Sequence, residues 1–302
     1  MADRRMKVGV VGLGSMGLGM ARSLVRAGHE VHGCDVRPEP LAALREAGGT
    51  PAASPAELAG RVEALVVVVV NAAQTDQVLF GGDGAAPALP RGAVVMTSAT
   101  VAPEYAAALG DRLAALGLLH LDAPISGGAA RAAKGELSVM ASGSPAAFDR
   151  AGPVLAAVAA TVHRLGERSG QGSKVKMVNQ LLAGVHIAAA AEAMALCIRA
   201  GADPQAVYDV ICGSAGASWM FQNRVPHMLE GDYAPKSAVE IFVKDLGVVL
   251  DSGRELRFPL PLAAAAHQLF LATAGAGHGS EDDAAVVKVY EALTGIKVGK
   301  AG

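Results

Sequence analysis

The sequence predicts an α/β protein in two parts: an N-terminal doubly wound sheet and an all-α C-terminal domain, joined by a long helix. Three observations predict it. Short β-branched runs alternate with helical patterns as far as residue 165. A glycine-rich turn stands between the first strand and the first helix. Beyond Gly172 the strands stop, and an alanine-rich stretch without proline opens the second half. The 302 residues suit two domains at roughly 150 residues each. The change of pattern places these at 1–168 and 169–302.

Composition narrows the function. Hydrophobic residues make up 52% of the chain, ample for a core, and the net charge is −2. That balance gives no electrostatic case for nucleic acid or an anionic membrane. Aromatics at 4% leave little surface for base stacking. Cys34, Cys197 and Cys212 are odd in number and lack CxxC or Cys/His metal spacing. They read as reduced, buried thiols of a cytoplasmic protein, with no metal site. The first residues lead into a strand without an apolar leader, so no signal peptide is expected. The most apolar run, 65–70, falls far short of the roughly 20 residues that cross a bilayer.

Taken in order, Lys7–Val11 reads as a buried strand. Gly12-Leu13-Gly14-Ser15-Met16-Gly17 follows, then a helical pattern over 18–27. This is GxGxxG in the setting it requires. Gly12 permits a tight turn, Gly14 lets backbone approach a pyrophosphate, and Gly17 lets helix and strand pack closely. The phosphates then lie on free N–H groups at a helix N-terminus. The second strand, Glu30–Cys34, ends in Asp35, the position that binds ribose hydroxyls. These signals together define a Rossmann dinucleotide site. A carboxylate at 35 repels a 2′-phosphate, so NAD is expected over NADP, with Arg37 nearby to soften the preference.

A run over 65–70 reads as a central strand ending at Val70 and Asn71, and 93–96 as another ending in Thr97-Ser98-Ala99-Thr100. Polar residues at such strand ends line ligands in open parallel sheets, or simply cap the next helix. A helix from 103 to 116 and a strand over 118–121 lead into Asp122-Ala123-Pro124-Ile125-Ser126-Gly127-Gly128. Ser126, Gly127 and Gly128 form a candidate nest for a small carboxylate. Strands over 136–141 and 161–165 flank a helix over 145–159.

The second half opens on Gly170-x-Gly172-x-x-x-Lys176-x-x-Asn179-Gln180, at the start of a helix over 174–200. Lys176, Asn179 and Gln180 share one face. A lysine beside amides near a helix start suits a site that handles a proton and a small anion. The helix is apolar on nearly every face, so it is expected to be buried on nearly every face. That predicts a homo-oligomer. Further helices are expected at 204–212, 225–229, 239–256, 262–274 and 283–293, with Glu281-Asp282-Asp283 capping the last. Alone, Lys244-Asp245 reads as an exposed pair on a helix. His186 reads as a core histidine.

Four separated motifs now stand in one order: Gly12-x-Gly14-x-x-Gly17, Asp122 to Gly128, Gly170 to Asn179, and Lys244-Asp245-Leu246. Together they resemble the β-hydroxyacid dehydrogenases, the family of 3-hydroxyisobutyrate dehydrogenase and tartronate semialdehyde reductase. Three stretches resemble its L-threonate dehydrogenase branch: 180–188, 218–224 and 237–246. The resemblance implies oxidation of a short hydroxy acid with Lys176 as general acid/base. It implies that Ser126, Gly127, Gly128 and Asn179 hold the substrate, and that Thr100 and Lys244 touch the cofactor. Two positions depart from the pattern. Gln180 takes the place of a second asparagine, and threonate-type chains carry a histidine where Asn179 stands. Both departures bear on the substrate more than on the chemistry.

A lysine acting as a base at neutral pH must fall from an ordinary pKa of about 10.4. The positive end of its helix and burial both act in that direction.

Overall fold

A computed structural model describes residues 5–299. The chain divides into two compact units, Met1–Lys176 and Met177–Gly302. The division falls inside one helix. The boundary expected from sequence, 168/169, lies in the turn just before that helix.

The first unit begins with β1 (Lys7–Val11), α1 (Ser15–Arg26), β2 (Glu30–Cys34), α2 (Pro38–Glu46), β3 (Thr50–Pro51) and α3 (Pro55–Ala59). It continues with β4 (Ala64–Val67), α4 (Ala72–Phe80), β5 (Val94–Thr97), α5 (Pro103–Ala115) and β6 (Leu119–Asp122). The six strands form a parallel sheet in the order β3-β2-β1-β4-β5-β6. The pleat sends alternate side chains to opposite faces. Val8, Val10, Val66, Val94 and Met96 join one apolar core. Val11, Leu65, Val67 and Val95 join the other. Burial on both faces is why these strands read as unbroken apolar runs.

Two expectations change here. The apolar run over 65–70 leaves the sheet after Val67. Its register ends with Val11 opposite Val67, and Gly12 turns away from the sheet with φ +87. Val70 is 44% exposed, and its N–H donates to Gln74 Oε1 instead. The strands after residue 122 also leave the doubly wound sheet. β7 (Ile125–Ser126), β8 (Leu137–Ala141) and β9 (Ala159–Arg164) make a separate three-stranded sheet. An isolated antiparallel bridge from Asp122 to Ser142 ties it to the end of β6. Between these strands lie α6 (Gly128–Lys134) and α7 (Pro145–Val158). α6 packs on α1, where a Cβ on Gly19 would stand 2.9 Å from Ala132 Cβ.

α8 (Gln171–Arg199) carries the chain into the second unit. There follow α9 (Pro204–Cys212), α10 (Trp219–Glu230), α11 (Val239–Glu255), α12 (Pro261–Thr273) and α13 (Val287–Thr294). A π-turn over Ala274–His278 and a 3-10 turn over Asp283–Val286 lie between the last two helices. The core gathers Ile187, Ala191 and Met194 of α8 with Phe221, Val225, Phe242, Leu246 and Phe270. Phe242 and Phe270 stack with centroids 5.2 Å apart. Of the expected caps, Asp282 accepts from Ala284 N–H, whereas Asp283 pairs with Arg224 in the interior. Burial pushes the Asp283 carboxyl up to about 6, against the pull of that guanidinium.

α8 is less buried than expected. Val175, Val178, Leu182 and Leu196 are 41%, 54%, 49% and 67% exposed. The helix is also long and apolar enough to cross a membrane by length and composition, with half of its most apolar window buried inside the protein. This apolar stretch is far longer than the run over 65–70 on which the sequence expectation rests.

Candidate active site

The glycine loop after β1 has the shape its sequence requires. A Cβ on Gly12 would lie 2.3 Å from Val68 O, and one on Gly17 would lie 1.8 Å from Gly12 O. Both positions are therefore closed to any side chain. Gly14 differs: a Cβ there would meet only Arg37 Nη2, at 3.9 Å. The space beside Gly14 is open, and α1 starts at Ser15 with no side-chain cap. An anion can approach Ser15, Met16 and Gly17 at the positive end of that helix. Leu13 faces the apolar core and donates its N–H to Asp35 Oδ2 at 2.6 Å. Asp35 Oδ1 accepts from Arg37 N–H at 2.9 Å and from Arg37 Nε at 3.2 Å. Burial opposes the charge on Asp35. The bonds from Arg37 and Leu13 outweigh it and hold the carboxyl below the usual carboxylate range.

The other strand ends carry mixed duties. Asn71 Oδ1 caps α4 through Gln74 N–H at 2.8 Å, which matches the simpler of its two sequence readings. Thr97 Oγ1 lies 2.9 Å from His120 Nε2, and His120 Nδ1 lies 2.8 Å from Ser169 Oγ. Burial pushes His120 down to about 3, so the imidazole is neutral. Thr100 follows in the loop after β5.

Lys176 is held from two directions. Its side chain is buried, 8% exposed, and Nζ donates to Ile125 O at 2.9 Å. That carbonyl directly precedes Ser126, Gly127 and Gly128. The two glycines take φ +137 and +75, left-handed values that only glycine adopts without strain. The structure thus brings the lysine to Ile125, 51 residues away in the chain and next to the candidate nest.

The second hold is on the helix itself. The residue directly before α8 is Gly170, which has no side chain to cap it, and the Ser169 hydroxyl is taken by His120, so the first N–H groups need remote acceptors. Asp122 Oδ2 accepts from Gly170 N–H and Ser173 N–H, each at 2.9 Å. Asp122 Oδ1 accepts from Ser173 Oγ at 2.7 Å, and Ser142 Oγ accepts from Gly172 N–H at 2.9 Å. Burial pushes the Asp122 carboxyl up, opposed by the bonds from Ser173, Gly170 and Ser142. The close approach needs glycine: a Cβ on Gly172 would stand 2.3 Å from Met140 O. Sequence reading missed Asp122 as the anchor of this helix. The signal was a helix start with no local cap.

In the second unit, Asp245 is buried at 1% exposure, which corrects the exposed pair expected from Lys244-Asp245. Lys244 Nζ lies 2.5 Å from Asp245 Oδ1. Gln180 Nε2 donates to Asp245 Oδ2 at 2.5 Å, and Asn179 Nδ2 donates to Gln180 Oε1 at 2.9 Å. His186 is half-buried on α8.

A dinucleotide fold and a buried lysine beside a glycine nest define a nucleotide-dependent oxidoreductase. Comparison with known proteins places it more closely. Residues 7–166 match the NAD-binding domain of 6-phosphogluconate dehydrogenase. Residues 170–290 match the family described as NAD-binding of NADP-dependent 3-hydroxyisobutyrate dehydrogenase. An L-threonate dehydrogenase from Cupriavidus necator is 62% identical over 95% of this chain and 96% of its own. One from Escherichia coli K12 is 53% identical over 95% of each. The crystal structure of a 3-hydroxyisobutyrate dehydrogenase from Salmonella typhimurium is 55% identical, with TM-score 0.90 over 94% of this chain and 99% of that one. The chain belongs to the β-hydroxyacid dehydrogenase family, whose members are hydroxyacid oxidoreductases.

Proposed function

We propose that the protein oxidises a short polyhydroxy acid with NAD, that L-threonate is its substrate, and that Lys176 is the general acid/base. The observation that carries this reading is the buried Lys176 amine on the Ile125 carbonyl, beside Ser126-Gly127-Gly128. The substrate rests on the two relatives named for L-threonate. The Salmonella protein's title, at similar identity, keeps 3-hydroxyisobutyrate as a second candidate, with tartronate semialdehyde a third.

The residues present fit a dinucleotide. The open space beside Gly14 admits a pyrophosphate, and Gly12, Leu13, Ser15, Met16 and Gly17 supply the turn and helix start around it. Asp35 offers oxygens to ribose hydroxyls and disfavours a 2′-phosphate, which selects NAD over NADP. Val70, Asn71, Thr100 and Lys244 are assigned to the cofactor's remaining surface. When bound, NAD supplies the acceptor for a hydride. The nest of Ser126, Gly127 and Gly128 holds the substrate carboxylate. Lys176 takes the hydroxyl proton during oxidation and returns it in reduction. Asn179, one helical turn after Lys176, orients a substrate hydroxyl.

The apolar stripe of Val175, Val178, Leu182 and Leu196 supports self-association. Light scattering on the purified protein tests it: a dimer or larger species is expected, and a monomer contradicts it. Three free thiols suit a reducing cytoplasm.

The test of the substrate is steady-state turnover of four-carbon sugar acids, 3-hydroxyisobutyrate and tartronate semialdehyde with NAD and NADP. L-Threonate with NAD is expected to give the highest kcat/KM. A preference for 3-hydroxyisobutyrate would move the assignment to the second candidate.

A further inference from the structure

Gln180, which departs from the family pattern, has a partner of its own. Asp245, Gln180 and Asn179 form a continuous hydrogen-bonded chain within the second unit. Asp245 is 1% exposed and Gln180 7%. Chemistry sets the direction of this chain. A carboxylate only accepts hydrogen bonds, and an ammonium only donates them. Lys244 faces one oxygen of Asp245, so Gln180 must turn its NH2 toward the other. The Gln180 oxygen then points to Asn179, whose own NH2 meets it. Reversing either amide would set acceptor against acceptor or donor against donor, which is costly in a buried place. What remains to Asn179 for other partners includes its side-chain oxygen.

We propose that Asp245 is a positioning residue, with Gln180 as its relay. Together they fix Asn179 so that its oxygen accepts a hydrogen bond from a substrate hydroxyl. This rests on the assignment of Asn179 to the substrate made above. An oxygen at that place rewards a hydroxyl and gives nothing to a methyl group or a carbonyl. The relay therefore selects polyhydroxy acids over monohydroxy acids of the same length, through a residue that touches no substrate.

The test is steady-state kinetics at saturating NAD with L-threonate and with 2- and 3-hydroxybutanoate. Asp245→Asn offers Gln180 a donor as readily as an acceptor and frees both amides to turn. It is expected to lower the preference for L-threonate, as a ratio of kcat/KM, about tenfold, the size of one lost hydrogen bond. Gln180→Met is expected to do the same without touching the Lys244 pair. The decisive variant combines Asp245→Asn with Gln180→Glu. The carboxylate then stands at 180 and the amide at 245, and Asn179 again faces an acceptor. The double variant is expected to regain most of the preference, which a merely structural role would not produce. An unchanged ratio in Gln180→Met, or a double variant no better than Asp245→Asn alone, overturns the relay.

If the wild type turns over no hydroxy acid, the proposed function fails, and the relay is read without turnover. The Asn179 side-chain amide is expected to give one downfield N–H resonance in the wild type, lost in Gln180→Met. Persistence of that resonance in the variant overturns the proposal.

Discussion

α1 and α8 each follow a glycine, and they use it for opposite ends. α1 starts beside an open space at Gly14 with no side chain on its terminus. α8 starts with its N–H groups already taken by Asp122 and Ser142. The first terminus is open on its outer side; the second is closed by a side chain of the protein itself. The difference bears on Lys176. The positive end of a helix disfavours a second positive charge on the lysine. The buried Asp122 side chain already answers that end.

The contrast breaks most visibly at Asp122. Asp122→Ala leaves buried N–H donors without an acceptor and is expected to cost about 3 kcal/mol or more in chemical denaturation. A loss below about 1 kcal/mol would show that α8 does not depend on its remote cap. Gly172→Ala comes next. It forces a Cβ against the Met140 carbonyl and is expected to cost about 1–3 kcal/mol. Gly14→Ala meets open space and is expected to leave the melting temperature unchanged while weakening NADH about tenfold or more in fluorescence titration. Equal effects of the two glycine variants on stability would erase the distinction between the termini.

Smaller effects sharpen it. Asp122→Asn keeps an acceptor and removes the charge. The acid limb of the kcat profile for oxidation, which reports the lysine losing its proton, is expected to move to lower pH. An unmoved limb would mean that the carboxylate is not felt at the amine. His120, bonded to Ser169 just before α8, gives a stability signature. Its folded value is about 3, against an ordinary 6.5 in the unfolded chain. Between these values the unfolded chain binds a proton that the native one does not. Stability is therefore full above 6.5 and falls as pH drops toward 3, by up to about 1.4 kcal/mol per pH unit. His120→Gln is expected to flatten that slope in melts between pH 6.5 and 4.5. A parallel slope would contradict it.

What was legible in the sequence was local. β1, the glycine turn, α1, β2 and Asp35 follow one another along the chain, and each signals itself. Strand partners are not local. The runs near 136–141 and 161–165 were recognisable as strands, but nothing in them tells which sheet they join. The end of β4 was hidden because hydropathy continues to Val70 after the neighbouring strand has turned away at Gly12. The sequence places this helix at 225–229, whereas α10 begins at Trp219 and carries Pro226 inside it. The carbonyl that this proline leaves without an N–H is that of Gln222, and the Tyr208 hydroxyl donates to it at 3.0 Å. Asp122 and Asp245 were visible inside motifs. Their duties were not, since each acts on groups 48 to 65 residues away.

Lys176 is the group proposed to move the proton. Lys176→Met fills the same buried space without an amine and should still bind NADH. With L-threonate and NAD, kcat is expected to fall about 10²–10⁴-fold while NADH titration and the melting temperature stay near wild type. Turnover within a few fold of wild type would remove the lysine from the chemistry and contradict the account.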